Sequence, residues 1–381
     1  MRGIAGLFML SSVFVLTSCL DDEDKTIALE TSSLVAGIPD DSEASANPVI
    51  TTATTNIPNI QTSLEQIDGY PVMRIDMTGV QNSGGNGAQW MRLYGTGMDN
   101  QNVWVEVDGV PKGIIVTNTE DEAGTATVMT DIVFAVDNSG SMNEEADALA
   151  RDIISWAQEL STSGLDARFA VVGYDGRITG GTDFTTASGL SQYLEANGSG
   201  TSRTMHFGTN RNDWTALASK YFVNDYMNEC GVAAIRLADE NYAFRSSANR
   251  VYVNFTDEPN YPSNKEEFSV KYFEDQNKWP AYKGTVHTVY SASQYDYTDW
   301  NREESPWLIS DYTGGSKQFV KRDFSDANLS SLLVTGAMQH SYIIKFTNIE
   351  DLLDGNIHKV HLTIKSDDGS TTADKTFDVM F

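Results

Sequence analysis

Two scarcities shape this 381-residue sequence, one of cysteine and one of basic residues. With only 2 cysteines, Cys19 and Cys230, no disulfide framework can hold the fold, so stability must come from apolar packing. A hydrophobic content of 40% is enough for that, and the length suggests two or three modules. Lysine and arginine number 26 against 53 aspartates and glutamates, a formal charge of −27. Such a chain repels phosphate backbones and anionic membrane surfaces, which excludes nucleic acid as a partner. The acid excess leaves solubility and hard-cation binding as its natural consequences. Catalytic signatures are also missing: the sequence has no G-x-S-x-G elbow, no H-E-x-x-H and no Walker P-loop. Carboxylate pairs are so common here that none is informative, and no enzyme is expected.

What is present begins at the N-terminus. Arg2 is a short basic region, Ile4 to Leu16 is mostly apolar, and "LTSC" (Leu16 to Cys19) follows. The run is barely long enough to span a bilayer and lacks a basic stop-transfer flank. "LTSC" resembles the lipobox of bacterial lipoproteins. That resemblance implies removal of residues 1–18, lipidation of Cys19 and a lipid anchor as the only membrane contact; the alternative is an ordinary cleaved secretory signal. Cys230 would then lack a partner and serve as a small core residue. The "LDDEDK" behind Cys19 resembles the acidic signal that sends lipoproteins to the outer membrane surface of some Gram-negative bacteria. Residues 19–62, rich in Ser, Thr, Ala, Asn and acids, read as a flexible tether.

Residues 63–128 change character. "PVMRIDM", "AQWMRLYG", "VWVEVDG" and "KGIIVTN" alternate with period two between Gly- and Asn-rich turns, the pattern of a small antiparallel β-module. From 129 to 338 the rhythm becomes strand, helix, strand. "IVFAV", "ARFAVVGY", "RVYVNFTD" and "GTVHTVYS" read as buried strands, with helices expected after Asp137, near Thr215–Asn228 and over Glu266–Asn277. This predicts an α/β unit, a doubly wound and mainly parallel sheet. Residues 339–381 return to alternating strands; they are too short to bury a core alone and are expected to pack on residues 63–128.

The informative stretch is "DIVFAVDNSGSMNEEADALARDII", from Asp131 to Ile154. An apolar strand ends on Asp137, and Asp137, Ser139 and Ser141 share one side if the chain stays extended. One reading is a capped turn, since Asp and Ser favour helix starts. The other is a small hard cation held by a carboxylate and hydroxyls at the strand edge where α/β sheets bind ligands.

"VFAVDNSGSM" resembles the metal-ion-dependent adhesion site of von Willebrand factor type A domains. "VYVNFTDEPN" is similar to the segment carrying that family's second aspartate, here Asp257. "LISDYTGGSKQFV" is similar to the segment before its last strand, and "LSQYLEANGSGTSRT" to its threonine loop, with Thr201 the best match and Thr204 the reserve. The resemblance covers residues 130–338. Glu258 departs from it, standing where many relatives carry glycine, and residues 198–214 are longer and more polar than usual. The β-segments on either side resemble the Ig-like material around bacterial type A domains.

The resemblance implies a Mg2+ site, with Mn2+ or Ca2+ as alternatives, formed by Asp137, Ser139, Ser141, Thr201 and Asp257. Glu144 and Glu145 match positions that hold a second cation in integrin-like relatives, although acids in a first helical turn also simply complement the dipole. The implied partner is a protein or other macromolecule that supplies an acidic group to the metal. The expected function is ligand binding by a surface lipoprotein; the alternative is a structural or tip subunit of a surface appendage. His358 and His361 would face opposite sides of a strand and so form no metal pair. His206 and His340 show no ligand spacing. The aromatic-rich "SASQYDYTDWNREESPW" is either a binding surface or a loop packed on the sheet.

Overall fold

A computed structural model describes residues 37–381 apart from 56, 58–59, 83–88, 119–128, 163–164, 209–212, 224–228, 247, 292–301 and 323–324. The leader, Cys19 and most of the aromatic-rich segment therefore lie outside the described residues. In chain order the main strands are β1 (Ile60–Ile67), β2 (Tyr70–Met77), β3 (Val103–Val107) and β4 (Ile115–Asn118). Then follow β5 (Met129–Asp137), β6 (Asp166–Tyr174), β7 (Ile178–Thr185), β8 (Asn249–Thr256), β9 (Thr285–Tyr290) and β10 (Lys317–Phe319). The last three are β11 (Tyr342–Phe346), β12 (Ile357–Lys365) and β13 (Thr372–Met380). The helices are α1 (Ala146–Thr162), α2 (Ala187–Ala196), α3 (Trp214–Lys220), α4 (Gly231–Asn241), α5 (Trp307–Thr313) and α6 (Leu333–Gln339).

The architecture is mixed α/β. Strands β5 to β10 form one six-stranded sheet in the order β7-β6-β5-β8-β9-β10. Every neighbour pair is parallel except β7 with β6. Strand β5 is buried along almost its whole length, as a strand covered on both faces must be. Its alternate side chains divide between two cores. Ile132, Phe134 and Val136 join Leu149, Ile153 and Trp156 of α1; Val133 and Ala135 join Val232 and Ile235 of α4 and Ile309 of α5. Helix α1 forms because its apolar residues recur at three- and four-residue spacing and bury one stripe. Gly314, at φ 77°, closes α5 in the left-handed conformation that favours glycine, which gives the "TGG" stretch its local reason.

The seven remaining long strands, with the two-residue strand Val110–Pro111 beside β3, form two four-stranded antiparallel sheets sharing one apolar core. In one, β11 lies between β2 and β4; in the other, β12 lies between β13 and β3. Strands from before and after the six-stranded sheet thus pair with one another in both sheets of the same sandwich.

Three local expectations need correction. Glu266–Asn277 is not a helix: it holds two short 3-10 turns, Glu266–Phe268 and Val270–Phe273. Between them Ser269 bonds Glu304 at 2.5 Å, and the Val270 amide donates to the same buried carboxylate at 3.0 Å, drawing the backbone out of a helical ladder. Near Thr215–Asn228 the helix is shorter than expected, ending at Lys220, with residues 224–228 outside the described set. Much of the expected tether is not free: Ile38 and Ile57 are buried, and Asn47 donates to Glu106, His361 and Thr363 on the sandwich. Lys112, itself buried, binds Asp41 at 2.9 Å and holds this segment down.

Candidate metal centre

Asp137 ends β5 at the carboxyl edge of the parallel sheet. The Asn138 amide donates to the Tyr174 carbonyl at 2.7 Å, so the chain leaves β5 still anchored to β6 before the 3-10 turn Gly140–Asn143 leads into α1. Asp137 is 1% exposed. One carboxylate oxygen accepts from the Ser139 amide at 2.8 Å and the other from the Thr256 hydroxyl at 2.7 Å. These donors are neutral. Burial therefore dominates and pushes the Asp137 carboxyl up to about 7, with Asp257 adding to the rise.

The hydroxyls continue from there. Ser139 Oγ and Ser141 Oγ lie 2.8 Å apart, and Ser141 Oγ donates to Asp257 Oδ1 at 3.0 Å. Asp257, just past β8, is mostly buried and its carboxyl is raised, first by burial and then by Glu258. The structure thus joins Asp137, Ser139, Ser141 and Asp257 through one short chain of contacts.

Thr201 stands on the adjoining 3-10 turn, Gly200–Thr204. Asp147 of α1 clamps this turn, accepting from the Gly200 amide at 2.8 Å and from Arg203 Nε at 2.7 Å. A cavity of about 20 Å³ has Asp137, Thr201 and Thr204 among its lining residues. The two threonines differ. Thr204 is buried and its hydroxyl is committed to Asn138, whereas Thr201 is half-buried. Glu144 and Glu145 diverge: Glu144 is exposed, Glu145 fully buried. Glu145 accepts a long bond of 3.4 Å from Ser291, its other oxygen has no partner among the described residues, and burial together with Asp257 pushes it up to about 7.

Sequence reasoning missed Glu229. It is 3% exposed, shares a hydrogen bond with Glu258, and is pushed up to about 10 by burial, the charge of Asp137 and Glu258. It precedes α4 within a stretch that reads as apolar core, and nothing in the sequence ties it to Asp137. The charge of Arg322 reaches both Asp257 and Glu145.

The oxygens present fit a hard cation. Among the described residues no three His, Cys, Asp or Glu side chains gather into a ligating group, so any ion here must lean on hydroxyls as well. Carboxyls driven toward their protonated forms by burial and by one another are groups that a divalent ion would stabilise. His358 and His361 do not assemble a second centre. His358 binds Asp108 at 2.7 Å and Asp354 at 3.1 Å, and His361 binds Asp374 at 2.7 Å.

No family model matches the chain, and no curated protein matches it. Among solved structures, BatB from Bacteroides thetaiotaomicron is 15% identical with a TM-score of 0.31, the match covering 52% of this chain and 93% of that one. An aerotolerance-related membrane protein from Bacteroides fragilis is 14% identical with a TM-score of 0.31, covering 52% and 94%. The pilus adhesin SpaC from Lactobacillus rhamnosus GG, in an open conformation, is 11% identical with a TM-score of 0.31, covering 84% of this chain and 47% of that one. Likenesses of this size carry no functional argument. Among the described residues, no helix is long and apolar enough to cross a membrane.

Proposed function

We propose that the α/β unit is a von Willebrand factor type A domain and that the chain is a cation-dependent binding protein of the bacterial envelope. The observation that carries this is the Asp137–Ser139–Ser141–Asp257 cluster, in which, among the described residues, no cationic side chain bonds the buried Asp137. Ser139, Ser141 and Thr201 would ligate Mg2+ directly, and Asp137 and Asp257 would hold it directly or through water. A bound Mg2+ supplies an electrophilic centre that accepts an acidic oxygen from a macromolecular partner. The chain's own residues do the rest: Thr256 and the Ser139 amide orient Asp137, and the Asp147 clamp presents the Thr201 turn. Arg322 and, on the Thr201 turn, Arg203 are basic groups at a site rich in acids; within a screening length of about 8 Å such local charges govern how an acidic partner approaches. Lipidation at Cys19 and display on the outer membrane belong to the same proposal.

The test is calorimetry with Mg2+ on the wild type and on Asp137→Ala. Loss of Mg2+ binding with the fold retained supports the reading. Equal affinity in both proteins reduces the DNSGSM element to a capped turn. A pull-down from host or bacterial surface material, run with Mg2+ and then with chelator, would identify the partner.

A further inference from the structure

At the opposite, amino edge of the parallel sheet, a cavity of about 200 Å³ lies between the α/β unit and the sandwich. Trp279 and Tyr312 contribute from the α/β side, Ile57 and Lys375 from the sandwich side. Lys375 is unusual for this acid-rich chain. Its ammonium donates to the Ile57 carbonyl at 2.7 Å, and among the described residues no carboxylate stands within ion-pair distance of it. The acids lining the cavity are engaged elsewhere. Asp311 is held by Lys317 at 2.8 and 2.9 Å, and Asp374, its neighbour on β13, points to the other face, onto His361 and Thr363. Burial pulls the Lys375 amine down to about 8.

An ammonium with three donors and one carbonyl acceptor has hydrogen bonds to give. An inward-pointing lysine on an edge strand also discourages strand addition, and that role is met by the Ile57 contact without any cavity. The cavity supplies what a ligand needs beyond that: ring surface from Tyr312, and polar groups from Gln276 and Asp311 at its margin. Its volume falls below that of drug-sized pockets and suits a single small ring. We propose that this cavity binds a small hydroxylated carboxylate of the hexuronate class, its carboxylate on Lys375 Nζ, its hydroxyls on Gln276 and Asp311, and its ring against Tyr312. Because both units line it, the ligand would join them. The proposal is independent of the cation centre at the other edge.

The experiment titrates the full chain with glucuronate, glucose and acetate by calorimetry, using the wild type, Lys375→Met and Lys375→Arg. Each variant's thermal unfolding is recorded alongside. Saturable glucuronate binding is expected in the wild type, at least tenfold weaker in Lys375→Met and within a few fold in Lys375→Arg. Glucose, lacking the anion, and acetate, lacking the ring and hydroxyls, should each bind at least tenfold more weakly than glucuronate. Glucuronate should also slow acetic anhydride labelling of Lys375 in the wild type, a readout that needs no variant to fold. Absence of saturable glucuronate binding, equal binding by folded Lys375→Met, glucose or acetate matching glucuronate, or no protection from labelling would each overturn the assignment.

Discussion

Strand β5 carries a buried aspartate near each end, and the chain treats them in opposite ways. Asp131, fully buried, accepts from Arg168 at 3.0 and 2.7 Å and from Arg245 Nε at 2.9 Å, with the Arg245 amide adding a bond at 2.8 Å. Asp137, equally hidden, receives an amide and a hydroxyl and, among the described residues, no cation. Removing a carboxylate from water costs several kcal/mol in either place. At the amino edge two guanidinium groups offset that cost, which makes Asp131 part of the scaffold. At the carboxyl edge nothing in the described chain offsets it. An uncompensated acid at the ligand-binding edge of an α/β sheet implies that compensation comes from outside.

The comparison can be broken most severely at Asp131. Asp131→Ala strands two guanidinium groups and should cost about 3 kcal/mol, the low end for a buried pair because both arginines keep some solvent contact. Asp137→Asn keeps the shape and an acceptor and removes the uncompensated charge; without divalent ions it should be no less stable than wild type, and more stable at pH 8. Urea unfolding of both in chelator decides the matter, and equal losses would erase the distinction.

A pH series sharpens it. The Asp137 carboxyl is raised from 3.8 to about 7, so the folded state holds its proton more tightly than the unfolded state does. Its contribution in the metal-free protein is therefore most favourable at low pH, declines as pH rises between those values, and is flat above them. Because protons compete with the cation, Mg2+ should raise the unfolding temperature more at pH 8 than at pH 5.5. A shift that is the same at both pH values would detach Asp137 from the ion.

His358 supplies a third arrangement, in which the cation itself titrates. Asp108 and then Asp354 hold the imidazole above its usual 6.5. Its stabilisation is fully present below that value and is lost as pH rises through the higher folded value. Asp354, pulled down to about 2, keeps its own contribution until far more acidic conditions. An NMR titration should find His358 raised, and His358→Gln should flatten stability across neutral pH. The smallest effect belongs to Lys359 and Asp378, both well exposed and 3.1 Å apart. Lys359→Ala should change stability by less than about 0.5 kcal/mol in urea melts.

These contrasts also explain what the sequence could reveal. Asp137, Ser139 and Ser141 were legible because an apolar strand stops abruptly on small oxygen-bearing side chains, and β5, β6, β8 and β9 because buried parallel strands are continuous apolar runs. Helix α4 was not: it opens on the unbroken buried run Val232 to Ile235, and its polar face, Arg236, Asp239 and Glu240, is confined to its second half. Glu229 was hidden for the same reason. The anchoring of residues 37–57 was invisible because it rests on single long-range contacts, such as Asn47 to Glu106, in a segment whose composition reads as solvated.

The interleaving of β2, β11 and β4 has a kinetic consequence. Strand β11 must insert between two strands synthesised long before it, with the whole six-stranded unit in between. Until then β2 and β4 present unpaired edges, and loop-closure entropy delays their pairing. The α/β unit is one continuous stretch that can form without them, and its folding draws together the flanking segments in which Asn118 and Tyr342 become register partners. The sandwich is thus the late-forming part of the molecule, and its exposed edges are where a stalled or truncated chain would aggregate.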